Sequence, residues 1–196
     1  PNFADQLEMY DALNHADLTS LTDGDLSRYY KDAPLTLSDA DAVRVDHPKD
    51  GVTIRWDSFG VPYIEGATRE DAAFGSGYAG TLDRMFLMDV LRHYGAGTLS
   101  SFLGASCEFE QMDHDQLLLA PYTKEQAIAQ VDALPAQYGA EGQIAKDMIY
   151  NYVDGVNKYV HAALLNPLLL PADYAAAVPE VLPQRWTVAD VVAIAG

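Results

Sequence analysis

Cysteine is nearly absent: Cys107 is the only one, so no intrachain disulfide can form, and the redox compartment stays open. Basic residues are scarce as well. Twelve Lys and Arg stand against 29 Asp and Glu, a formal net charge of −17, so the surface repels nucleic acid and anionic membranes, and neither is expected as a partner. Long hydrophobic runs are missing too. Crossing a bilayer takes roughly 18 to 20 apolar residues, and the richest stretch here, VHAALLNPLLLPADYAAAV, is interrupted by Asn166, Pro167, Pro171 and Asp173. The start at Pro1 has neither a methionine nor the basic-then-apolar pattern of a signal peptide, and reads as a processed or trimmed start. Its secondary amine could act as a general base, but the acidic, helix-like segment after it offers no pocket for that role.

What is present is a chain of 196 residues, 49% hydrophobic, enough to bury a core. Residues 1–50 form an acidic arm, in which FADQLEMYDAL puts Phe3, Leu7 and Tyr10 on one helical face and DGDLSRYY offers a short helix with Asp23 as cap. The region 51–196 follows. VTIRWDSFGVPYIEG, with a turn at Asp57 to Gly60, predicts a β-hairpin over 52–65, and Pro62, which cannot donate to a ladder, places the second strand at an edge or starts it. Thr68 to Asp71, TRED, has the pattern of a capping box, so a helix starts near Arg69. Its apolar positions, Phe74, Tyr78, Leu82, Met85, Phe86, Met88 and Leu91, lie on more than one side, as in a largely buried helix. Beyond Gly95 the pattern is helix upon helix: TLSSFLG, then TKEQAIAQVDAL ending at Pro135. A long one, from AEGQIAKDM to VHAAL, carries a stripe at Ile144, Met148, Tyr152, Val156, Tyr159 and Ala163. A last helix begins at TVAD, Thr187 to Asp190, and has scarcely two turns before Gly196. The fold class is predominantly α with a short β-hairpin.

Gly75 to Gly80, GSGYAG, matches G-x-G-x-x-G, the pattern that cradles a dinucleotide pyrophosphate. That chemistry needs a strand running directly into the glycine turn and a helix after it. Here the strand ends about ten residues earlier and a capped helix has already begun, so the small residues are read as a low-bulk surface for close helix packing at Gly77 and Gly80. Asp83, Arg84, Asp89, Arg92 and His93 follow. They are read as a structural ionic network, the alternative being a polar cluster near an active site with Asp89 and His93 paired at i,i+4. Asp113-His114-Asp115 is read as a polar loop rather than a metal site, since adjacent residues rarely point at one ion. Cys107 has no assignable histidine or cationic partner and is read as a core or loop thiol. These residues supply no self-contained active site, no cofactor site and no metal site.

Four blocks in order resemble the α-chain of the penicillin acylase (penicillin amidase) family of N-terminal nucleophile hydrolases: DSFGVPYI, then FGSGYAGTLDRMFLMD, then YVDGVN, then RWTVADV. The resemblance runs from about Val52 to the end, and the acidic arm lies outside it. It implies the α-chain part of an αββα α+β heterodimer, truncated at its C-terminal end. A precursor cuts itself into α and β chains, and the nucleophile, usually serine, is the first residue of β, with its own α-amine as base. The implied partners are that β-chain and a small N-acyl amide substrate: a penicillin, an acyl-homoserine lactone or an acyl-peptide. No catalytic residue is expected on this chain. A calcium ion in the full enzyme is implied only through a carboxylate beyond Gly196. Asp83 and Arg84 match the family's D-R pair and take a network role at the α/β interface. Tyr63 replaces a frequent histidine, and Thr81-Leu82 precedes Asp83 where alanine is common. Periplasmic or secreted location is the implied setting. A non-catalytic helical interaction module is the alternative.

Overall fold

The computed structural model describes residues 36–178 and 181–195 and, in the N-terminal segment, residues 11, 14, 15, 17 and 19–25. The chain divides into two units, Pro1–Leu37 and Ser38–Gly196. In the first, residues 23–25 are helical and Thr22, not Asp23, is the cap: its Oγ1 accepts from Asp25 N at 3.3 Å, and its own N donates to Asp25 Oδ2 at 3.0 Å. Asp23 is instead the first helical residue. The expected face of Phe3, Leu7 and Tyr10 lies outside the described residues.

The second unit opens with a strand that the acidic composition conceals. β1 (Arg44–Asp46) pairs antiparallel with β2 (Val52–Trp56), which pairs with β3 (Pro62–Gly66), in the order β1-β2-β3. As expected, β3 starts at Pro62 and lies at an edge. Val52, Ile54 and Trp56 alternate inward along β2, and Ile54 sits opposite Ile64. Arg55, facing the other way, pairs with Asp39 at 2.6 Å and Glu65 at 2.8 Å. At the turn, Asp57 Oδ1 accepts from Phe59 N and Val61 N, both at 2.9 Å, and Gly60 takes the left-handed φ of +78° that closes it.

α1 (Arg69–Gly95) begins where TRED predicts, with Thr68 Oγ1 accepting from Asp71 N at 3.1 Å while the Asp71 carboxylate pairs with Lys49 at 2.8 Å. The helix carries all of GSGYAG in its interior, which rules out the phosphate turn. It is kinked at Arg84 (φ −143°, ψ 29°). α2 (Leu99–Leu103), α3 (Cys107–Leu119) and α4 (Lys124–Asp132) follow, then the long α5 (Leu134–Leu165), broken near its start at Gly139. A 3₁₀ turn (Pro167–Leu169), α6 (Ala172–Ala177) and α7 (Val188–Ala195) complete the described elements. α4 shows the full capping box, Thr123 with Gln126. α3 corrects the reading of Asp113-His114-Asp115 as a loop: it is a helix capped by Ser106, whose Oγ accepts from Phe109 N at 3.2 Å. Its sequence is so polar that no apolar stripe betrays it. Cys107 opens this helix and is exposed, so it is not a core thiol.

Two crossings hold the unit together. α1 lies on the sheet, where Phe74 and Ala79 bury against Val52, Ile54 and Trp56, and a Cβ at Gly75 would stand 2.5 Å from Ile64 Cγ2. On its other side α1 meets α5 backbone to backbone. A Cβ at Gly77 would lie 2.0 Å from Tyr152 O, and one at Gly155 would lie 2.0 Å from Phe74 O, so two glycines on facing helices each admit the other's main chain. Gly80 is different. Its Cβ would meet only Met88 Sδ at 3.9 Å, an ordinary contact, so among the described residues the close-packing role expected there is not exercised.

Candidate functional site

The most enclosed polar group in the second unit centres on Asp89, 1% exposed, on the buried side of α1. A carboxylate in such surroundings must be paired and hydrogen-bonded or its desolvation goes uncompensated. Three elements supply the partners. Arg92 Nε lies 2.8 Å away in an ion pair, Trp186 Nε1 donates at 3.1 Å, and the Tyr174 hydroxyl, from α6, donates a short hydrogen bond. Burial first, then the Asp89 charge, pushes the Tyr174 pKa far up, so this hydroxyl stays protonated and keeps donating. Arg92 continues to Asp190, its Nη1 at 3.6 Å from Oδ1. Asp190 in turn caps α7 by accepting from Thr187 N at 2.7 Å and Thr187 Oγ1 at 2.8 Å. The knot therefore joins α1, α6, the segment before α7 and α7 itself. The network reading holds for Asp89 and Arg92; the pairing of Asp89 with His93 does not occur.

His93 makes its contacts elsewhere. Its ring stacks on Phe102 at 4.4 Å with a 4° tilt, and Nδ1 lies 2.9 Å from Thr98 Oγ1. Burial, reinforced by Arg92, lowers its pKa, so the ring is neutral near pH 7. His93 and Thr98 share the wall of a cavity of about 610 Å³ with Arg92, Tyr122, Lys124 and Asp190. A histidine beside a hydroxyl is the closest approach here to a nucleophile–base pair. An acyl-transfer site also needs amide donors free to hold an oxyanion. The nearest candidates are engaged: Leu99 N and Ser100 N donate to Asp113 at 2.6 and 2.9 Å. Asp113 is thus the cap of α2, reached from α3.

That cap gives a test with a defined pH dependence. Burial works to raise the Asp113 pKa, but hydrogen bonds from Ser100 and Leu99 outweigh it and hold the carboxyl below its ordinary value. A lowered folded pKa stabilises fully above the unfolded value, near pH 4, and the benefit is lost as pH falls through the folded value. Asp113→Ala is therefore expected to cost about 0.5–2 kcal/mol at pH 7, the range for a lost helix cap. The gap to wild type should close in acid. Urea midpoints measured from pH 7 down to pH 3 check this, and a gap independent of pH would refute it.

Of the residues singled out from sequence, Gly77 sits in the α1 and α5 crossing, while Asp83, Arg84 and Gly80 lie away from the Asp89 knot; Asp83 and Arg84 are exposed. Nothing in the sequence points to Tyr174 and Trp186 as partners of Asp89, or to Asp190 as a partner of Arg92, although Trp186 and Asp190 fall inside blocks already noted. Among the described residues no group of three or more His, Cys, Asp or Glu is arranged to hold a metal ion. Where two carboxylates converge, at Asp89 and Asp190, the Arg92 guanidinium already stands between them. These donors do not fit calcium.

Comparison with known proteins places this geometry. The family described as penicillin amidase matches residues 51–196. The chain is 30% identical over 135 residues to a penicillin acylase 2 proenzyme of Pseudomonas sp. and 29% identical over 139 residues to a penicillin G acylase of Escherichia coli. These matches take in 69% and 70% of this chain and 15% of each relative. An acyl-homoserine lactone acylase of Pseudomonas putida is 32% identical over 110 residues, 56% of this chain and 12% of that protein. This chain thus spans about one seventh of the curated relatives it matches. Among solved structures, a thermostable penicillin G acylase from Alcaligenes faecalis superposes with a TM-score of 0.61 at 29% identity. That match covers 73% of this chain and 69% of that one.

Proposed function

Because this chain belongs to the penicillin amidase family, we propose that it is the short α-chain of a two-chain acylase whose catalytic residues lie on a larger β-chain. One observation carries the reading. The match covers similar shares of this chain and of the solved acylase chain, 73% and 69%, but only 15% of the curated penicillin acylases. That contrast supports a region that occupies a chain of its own in the mature enzyme and a small part of the precursor.

In this reading the first residue of the β-chain, a serine in most such enzymes, supplies the nucleophile. Its hydroxyl oxygen attacks the amide carbonyl of an N-acyl substrate while its own α-amine takes the proton. Collapse of the tetrahedral intermediate breaks the C–N bond, the amine leaves with that proton, and water hydrolyses the acyl ester. The α-chain's residues take no part in bond making. Their contribution is positional: the glycine crossing and the Asp89 knot hold α1, α5 and α7 in a fixed arrangement against which β folds. Substrates are N-acyl amides of the penicillin, acyl-homoserine lactone or acyl-peptide kind, and the working location is outside the cytoplasm. Among the described residues no helix is long and apolar enough to cross a membrane.

The reading is tested by assaying the 196-residue chain beside the complete gene product on phenylacetyl and fatty-acyl anilides of graded chain length. Hydrolysis is expected only from the complete product. Turnover by the short chain alone would place the catalytic groups here and overturn the proposal.

A further inference from the structure

We infer that the solvent face of α1 between Gly80 and Tyr94 is a surface on which the larger chain packs. The inference rests on the two-chain reading above and goes beyond it by assigning residues. Leu87, Leu91 and Tyr94 are 46%, 41% and 40% exposed. At 3.6 residues per turn, positions i, i+4 and i+7 fall within about 60° of arc, so the three form one apolar stripe. It begins just past the kink at Arg84, where Asp83 and Arg84 are also exposed.

The opposite side of the same helix is already spoken for by Met85, Asp89 and Arg92, all buried. A helix buried on one side and carrying an apolar stripe on the other belongs inside a larger body, and here the described residues cover only one side. Gly80 fits the same account. Upstream of the charged pair, its position would let a partner's backbone approach, while inside this chain a Cβ there meets nothing closer than 3.9 Å. The occupant is argued from length: in its relatives this region is 15% of the polypeptide, so several times its mass is available to cover the stripe. Asp83 and Arg84, side by side with opposite charge, would set the register of that contact more than its strength.

The test uses the complete gene product with an affinity tag on this chain. Leu91→benzoylphenylalanine, irradiated, should cross-link to the larger chain and to nothing else. Leu87→Asp with Leu91→Asp should cut recovery of the larger chain, and with it the amidase activity, by at least about tenfold, since a buried unpaired charge costs several times the 1.4 kcal/mol that tenfold represents. The circular dichroism and melting of the short chain should be unchanged. Should that double variant unfold, Gly80→Leu provides the same readout at a site with room inside the chain. If wild type yields no two-chain assembly, the inference falls together with the functional reading. If wild type assembles and the variants assemble and cross-link no differently, the reading stands and this surface is wrong. Cross-links to a second copy of the short chain would also overturn it.

Discussion

Gly77→Leu is expected to abolish cooperative folding of this chain. The reason is main chain, not side chain: a Cβ at position 77 would already sit 2.0 Å from Tyr152 O and 3.0 Å from Val156 N. No rotamer relieves an overlap with backbone, so α1 and α5 must part along their whole contact. That separation would loosen Tyr78 from Tyr159, whose rings meet edge to face at 5.5 Å, and Met85 from Ala163 in the same cluster. Overpacking by a side chain usually costs about 1–3 kcal/mol, and with backbone in the way the cost should exceed that range, against a total stability of about 5–15 kcal/mol. Gly80→Ala is the control, expected to be neutral or stabilising by up to about 1 kcal/mol through helix propensity. Thermal melts of both variants decide it: a Gly77→Leu melt matching wild type would mean the helices do not cross at this glycine.

Asp89→Ala should produce the other large effect. The substitution removes one carboxylate, strands two donors, Trp186 Nε1 and the Tyr174 hydroxyl, and takes from the Arg92 guanidinium its nearest counter-charge, in a region with almost no solvent. Removing one partner of a buried ion pair costs about 3–5 kcal/mol, because the remaining charge is left desolvated. Asp190 still faces Arg92 but at 3.6 Å, farther than the ion pair at 2.8 Å that is lost. Adding Arg92→Met to Asp89→Leu should recover part of the loss, since an apolar pair needs no partners. A double-mutant cycle on urea midpoints reads the coupling directly. Losses within about 0.5 kcal/mol, the range of ordinary surface changes, would show that Asp89 is not the centre of the knot.

Much of this fold was legible because the determining interactions are local. The hairpin over 52–65 follows from alternating residues and an Asp-to-Gly turn. The starts of α1, α4 and α7 follow from a hydroxyl at the cap and a side chain three residues on. GSGYAG was also decided by local context, since the cap ahead of it leaves no strand to deliver a phosphate loop. What stayed hidden depends on distant parts of the chain. Asp89 finds Tyr174 and Trp186 at separations of 85 and 97 residues, so spacing on its own helix pointed to His93 instead. Gly77 and Gly80 look alike in sequence, and only the position of α5 tells them apart. β1 is three residues of an acidic segment and becomes a strand only because β2 lies beside it. α3 carries so many acids and amides that its helix is fixed by a cap and by Asp113 reaching α2, not by a stripe.

Two of the ordered blocks that carry the family resemblance have a definite place in the structure. The DR pair sits at the kink of α1, exposed, beside an apolar stripe that this chain leaves open. The RW block delivers Trp186 to Asp89, and its neighbour Asp190 to Arg92. The second set fixes helices relative to one another, which is what the proposed role of a chain that positions a catalytic partner requires.

The most direct measurement of that claim is made on the complete gene product, purified through a tag on this chain and analysed by intact-mass spectrometry and N-terminal sequencing. Two chains are predicted, this short one and a larger one beginning at Ser, Thr or Cys, with amidase activity in the paired fraction. A single uncut polypeptide that hydrolyses N-acyl amides, or this chain isolated without a partner from cells that have the activity, would contradict the account.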